Sequence, residues 1–169
     1  MAANNPLALP LKYSLNKHGL VAAKKDYSGG TNLSKTMVAY LLNSGDSELH
    51  GDRLLPATLD TGMSITAQAV LSSPAAGAGG QKIRLEFAYR ALGSTESMDY
   101  SSWQEAVATS FDVSAWGAKT LRLVTWSLTA GNFAASDFLE YVLRRYPTHG
   151  DDNHEQDLRL HDLSLLLTY

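Results

Sequence analysis

The 169-residue chain contains no cysteine. That absence excludes disulfide staples and thiolate metal sites, and it suits assembly in a reducing cytoplasm. Long apolar runs are missing too: each hydrophobic stretch is a few residues, far short of the roughly 20 that a membrane-spanning helix needs. The opening "MAANNPLALPLKYSLNKHG" has no basic stretch ahead of an apolar core, so no signal peptide is expected. Charge is scarce, at 18% of residues against 44% hydrophobic. A globular chain with so little charge leaves surface for a partner as well as for water. There is no internal repeat, and the Ala/Gly stretch "PAAGAGGQ" (74–81) reads as a flexible loop. One domain is expected.

The charge that is present is unevenly spread. Residues 1–35 carry five lysines against Asp26 alone, a net +4, and the remainder carries nine basic against sixteen acidic residues, a net −7. A basic head on an acidic body suggests a docking arm. Residues 1–34 also hold turn signals ("DYSGGTN") and no sustained period, apart from the alternation Leu7, Leu9, Leu11, Tyr13, Leu15. Such an alternation can add as an edge strand to another surface. The expected arm is therefore 1–34, with Leu7, Leu9, Leu11, Lys12, Tyr13, Lys17, Lys24 and Lys25 as its contacts, and the folded domain is 35–169.

From Lys35 onward the pattern is β. "KTMVAYLLN" (35–43), "GMSITAQAVLSS" (62–73), "KIRLEFAYRAL" (82–92), "SWQEAVATSFDVS" (102–114), "KTLRLVTWSLT" (119–129), "DFLEYVLRRY" (137–146) and "DLRLHDLSLLLTY" (157–169) read as short strands between turn signals. The clearest is 82–92, where Ile83, Leu85, Phe87, Tyr89 and Ala91 share one side and Lys82, Arg84, Glu86 and Arg90 the other. A short helical turn is expected at Phe133–Asp137. In the last strand the apolar alternation holds across Leu158–Leu160 and Leu163–Leu167 only if one residue is inserted at His161–Asp162, which is a β-bulge. Seven such strands predict an all-β antiparallel sandwich.

Between the last two strands lie His149, Asp151, Asp152, His154, Glu155, Asp157, His161 and Asp162. Their order lacks the spacing of a zinc site or of an EF-hand loop, so they read as a polar strand connection, and no metal is expected. There is no G-x-S-x-G elbow and no P-loop, and the carboxylates are scattered, so neither catalytic residues nor a cofactor are expected. Of the aromatic residues, Trp126 and Tyr89 sit in regular strands and should pack inward. Trp103 and Trp116 lie near loops and are the better candidates for stacking on a sugar, with core or subunit contact the favoured reading of the aromatic set.

The run "LEYVLRRY", "THGDDNHEQD", "LRLHDLSLLLTY", preceded by "AWGAKTLRLVTWSLT", resembles small jelly-roll modules of tailed-phage virions, which include capsid decoration (cement) proteins and tail-fibre modules. The resemblance covers about residues 60–169 and implies a jelly-roll sandwich, a structural role without catalysis, and often a trimer. On that reading the chain is a cement protein on the capsid surface, made in the host cytoplasm. Its partners are the major capsid protein and itself, as a homotrimer, with no membrane or direct nucleic-acid contact. The uncharged run "LSLLLTY" supplies the expected oligomer interface: Leu163, Leu165, Leu166, Leu167 and Tyr169. The alternative is a tail-associated glycan- or receptor-binding module.

Overall fold

The computed structural model describes residues 7–15, 25–27, 36–41, 47–60, 62–97 and 102–168. Eleven strands and one 3-10 turn are seen among them: β1 (Leu7–Pro10), β2 (Lys12–Leu15), β3 (Lys25–Tyr27), β4 (Thr36–Leu41), β5 (Ser47–Leu54), β6 (Ser64–Ser72), β7 (Lys82–Leu92), β8 (Glu105–Asp112), β9 (Arg122–Leu128), β10 (Phe138–Arg145) and β11 (Leu158–Thr168). The 3-10 turn, Ala130–Asn132, falls three residues before the expected position.

From β4 onward the pairings nest like one long rolled-up hairpin: β7 with β8, β6 with β9, β5 with β10, β4 with β11, all antiparallel. The first sheet runs β3-β4-β11-β6-β9, with β1 beside the second half of β11, and the second runs β2-β5-β10-β7-β8. Consecutive strands mostly alternate between the sheets, and this nesting is the jelly roll. The protein is an all-β antiparallel sandwich.

The inner faces meet in one core. Alternation puts Ile83, Leu85, Phe87 and Tyr89 of β7 and Leu139, Tyr141 and Leu143 of β10 inward, all fully buried. Opposite them, β6 contributes the small Ala67 and Ala69, and Trp126 pairs with Ala67 across the ladder. Small residues beside the indole leave room for it to reach Phe87, with ring centres 6.1 Å apart, and Phe111, edge-on at 5.5 Å. The bulge falls where the sequence places it, with the β11–β6 register shifting between Leu160 and Asp162. It lets Leu158, Leu160, Leu163, Leu165 and Leu167 all face the core.

Four expectations are corrected. β5, "SELHGDRL", was not expected as a strand, because it is polar and broken by Gly51; its register is set by β10 on one side and β2 on the other. The segment read as an arm is, over residues 7–15, part of the sandwich: β1 pairs β11, Leu11 N donates to Leu163 O at 2.8 Å, and β2 pairs β5. Leu9 and Leu11 are buried in the core. Leu163, Leu165 and Leu167, read as an oligomer interface, are core residues too, since β11 is an interior strand with neighbours on both sides. The loop 74–81, read as flexible, is pinned: Gly77 N donates to Trp116 O at 2.9 Å, and Val113 N to Gln81 O at 3.0 Å.

Candidate functional site

The polar run after β10 divides among separate partners. Arg145 is fully buried on the inner side of β10. Its guanidinium grips Asp152 through two bonds of 2.9 Å and donates to the carbonyls of Gln156 and His154 at 2.6 Å each. Asp152 also accepts from the Arg84 amide at 2.9 Å. Burying an ion pair is tolerable only when the remaining donors and acceptors are satisfied in this way. The His154 ring bonds Ser73 Oγ at 2.8 Å and Gln81 at 3.2 Å, while His161 bonds Ser72 Oγ at 2.8 Å. Burial, then the charge of Arg145, holds His154 below its ordinary value; burial, then Arg159, does the same for His161. Ser73 and His154 have the chemistry of a nucleophile and base, but they are 0% and 3% exposed, closed to any substrate. His149 and Asp151 stay at the surface. Among the described residues no three His, Asp or Glu side chains are grouped as a metal ion requires.

A second polar cluster closes the sandwich edge beside β8. Tyr89 Oη donates to Glu105 at 2.5 Å, and Glu105 also accepts from the Thr129 amide and hydroxyl, each at 3.0 Å. Burial, then the bond to Glu105, pushes the Tyr89 hydroxyl well above its ordinary value. Burial opposes ionisation of Glu105, but these donors outweigh it and keep its carboxyl low. The cluster ties β7 and β8 to the loop after β9, a structural task.

The outer face of the second sheet is different. Cross-strand partners share a face, so the register gives successive outward rungs: Glu48–Arg144–Glu86, then His50–Val142–Ala88, then Asp52–Glu140–Arg90, then Leu54–Phe138–Leu92. Rungs are about 6.7 Å apart. Arg144 binds Glu48 at 2.7 Å and Glu86 at 2.9 Å, Glu48 accepts from His50 at 2.9 Å, and Tyr146 donates to Glu86 at 3.0 Å. Burial works against the Glu48 charge, but His50 and Arg144 outweigh it and lower its value.

Above these rungs lies Trp103. Its ring centre is 5.7 Å from the Arg144 guanidinium and 6.4 Å from the His50 ring, which places it over the second rung. That position accounts for Val142 and Ala88 being fully buried on an outward face. The neighbouring Gln104 fixes it, donating its amide to Tyr89 O and accepting from Ala91 N, both at 3.0 Å. The indole itself remains partly exposed.

Of the two tryptophans that were candidates for stacking, Trp103 is thus partly exposed on a face that no described strand covers, and Trp116 packs in the core at 8% exposure. Lys12 and Tyr13 lie on β2 opposite Asp52 and Gly51, and Lys25 on β3 opposite Val38. Lys17, Lys24 and Tyr169 fall outside the described residues. The structure brings Leu7 and Leu9 beside Leu167 and Leu165, as paired strands of the protein's own sandwich, and sets Lys12, Tyr13 and Lys25 on other strands. Glu86 and Arg90 were legible as outward residues from the alternation of 82–92. Glu48 and His50 were missed along with their strand.

No protein-family model matches the chain, and no curated protein matches it. Among solved structures it is similar to TmCBM61, solved in complex with beta-1,4-galactotriose, at TM-score 0.42 and 11% identity over 92% of this chain and 87% of that one. It is also similar to a cleaved adhesin domain of Lys-gingipain from Porphyromonas gingivalis, at TM-score 0.40 and 13% identity over 95% and 97%. The jelly-roll assignment rests on the strand order and register given above.

Proposed function

We propose that this chain is a non-enzymatic glycan-binding β-sandwich module, set at the tail of a phage as a receptor-binding component. The observation that carries the reading is Trp103, a partly exposed indole fixed across a sheet face that no described strand covers. An indole plane takes the C–H face of a pyranose ring. Beside it, Glu48, Glu86 and Arg144 present acceptors and donors for ring hydroxyls, already held by their mutual ion pairs. Side chains ordered in advance lose less freedom on binding. The virion setting rests on the sequence resemblance alone.

The cement reading is weaker for a physical reason. Its mechanism needed a free apolar arm, and Leu9 and Leu11 are occupied in the protein's own core. Its trimer needed the last strand as an interface, and only Leu166 among those leucines lies off the core face.

The test is an array of neutral oligosaccharides probed with the wild type and Trp103→Ala. Binding should fall by roughly thirtyfold, the scale of a hot-spot truncation, with circular dichroism unchanged, and Trp103→Phe should keep part of it. A wild type that binds no glycan, or a Trp103→Ala that binds equally well, sinks the reading. Copy number per particle separates the two settings: a tail component is scarce, and a cement protein is as abundant as its shell sites.

A further inference from the structure

The outer face of the second sheet changes character along its length. Trp103 lies at the His50–Val142–Ala88 rung, a charged rung follows, and the last rung is apolar: Leu54, Phe138 and Leu92. Leu54 is 65% exposed, an uncovered apolar side chain one rung beyond the charged Asp52–Glu140–Arg90. These three residues form one side of an open cleft of about 290 Å3, and Gly93, Ser94, Glu96 and Ser136 close the other.

Both polar walls are built in advance. The 93–96 turn is closed by Glu96, whose carboxylate accepts from the Gly93 amide at 2.9 Å. The other wall is held by Asp137, which accepts from Ala134 N at 2.7 Å, and by Ser136 N donating to Pro56 O at 3.3 Å. Those bonds keep Ser136 at φ 65°, a left-handed conformation that a non-glycine residue holds only when its surroundings enforce it. The result is a preformed recess with an apolar floor and serine hydroxyls at its rim.

We propose that this cleft receives the acetyl group of an acetylated glycan whose ring stacks on Trp103; the proposal rests on the glycan-binding reading. The methyl lies against Leu54 and Phe138, and a rim serine donates to the carbonyl oxygen. An anionic sugar is disfavoured, since among the described residues the lining carries Glu96 and no basic side chain. A bare hydroxyl gains nothing from the apolar floor. Phe138 lies four residues along β10 from Val142, about 13 Å. That span exceeds one pyranose ring, so the ligand is an oligosaccharide.

The test uses neutral matched pairs: chitotriose against cellotriose, and O-acetylated xylo-oligosaccharides against the same sugars after saponification. The wild type should prefer the acetylated member of at least one pair by about tenfold or more, the discrimination available to a single small apolar group. Leu54→Ser and Leu54→Asp should abolish that preference while the unacetylated member still binds, and so exposed a position leaves the fold intact. Ser136→Gly should reduce the preference and leave melting unchanged or raised. Equal binding across every pair, or a preference that survives Leu54→Asp, overturns the acetyl assignment alone. No binding to any glycan overturns it together with the reading it rests on.

Discussion

Asp152 and Asp151 are adjacent in sequence and opposite in consequence. Asp152 is 7% exposed and neutralises the buried Arg145, whereas the Asp151 side chain is half in solvent, 3.5 Å from Arg84. Removing one partner of a buried pair leaves an uncompensated charge, so Asp152→Ala should cost about 3–5 kcal/mol in chemical denaturation. Asp151→Ala should stay within about 0.5 kcal/mol. Equal effects would mean that Arg145 finds another partner. The two histidines give a pH signature. Their folded values lie below the ordinary 6.5, so the unfolded chain binds protons more readily. Their contribution is complete above about pH 6.5 and is lost as pH falls through the lower folded values. Glu48 and Glu105, lowered from 4.5, respond only in more acid solution. The melting temperature should therefore decline between pH 7 and 5, and His154→Gln should flatten part of that slope. An unchanged slope would remove His154 from the account. Gly77 is a third single-residue constraint: a Cβ there would sit 1.8 Å from Val113 O, backbone that cannot step aside. Gly77→Ala should lower the melting temperature markedly, and an unaffected variant would show that the 74–81 loop is free to move.

At the scale of elements, β1 and β2 decide what the N-terminal segment is. The chain crosses from one sheet to the other at Leu11, laying β1 along β11 and β2 along β5. Leu9, 6% exposed, faces the core opposite Leu165. Truncating a buried leucine costs about 2–5 kcal/mol, so Leu9→Ala should destabilise the whole domain by that amount. Deleting residues 1–15 should do so more severely. A truncated protein that melts as the full chain does would restore the free arm. The alternation of leucines was readable as strand; its partner was not, because an alternating segment satisfies any open edge equally well.

For the molecule as a whole, the nested pairing joins distant segments, with β4 meeting β11 and β1 meeting the end of the chain. Such a topology has no part that is stable early and alone, so one cooperative transition is expected. Trypsin cleavage after Lys12 should then track global unfolding through a denaturant series, and cleavage at native conditions with the core intact would show local detachment. The sequence by itself determined the class of fold, seven of the strands, the inward aromatics Trp126 and Tyr89, and the bulge at His161–Asp162. Each of these follows from period-two burial, which a one-dimensional pattern records. Only the tertiary structure decided that "SELHGDRL" is a strand, that Leu9, Leu11 and the last leucines serve the protein's own core, and that Trp103 rather than Trp116 meets solvent. Those outcomes depend on which edge each segment finds and what lies above it, and no local pattern encodes that.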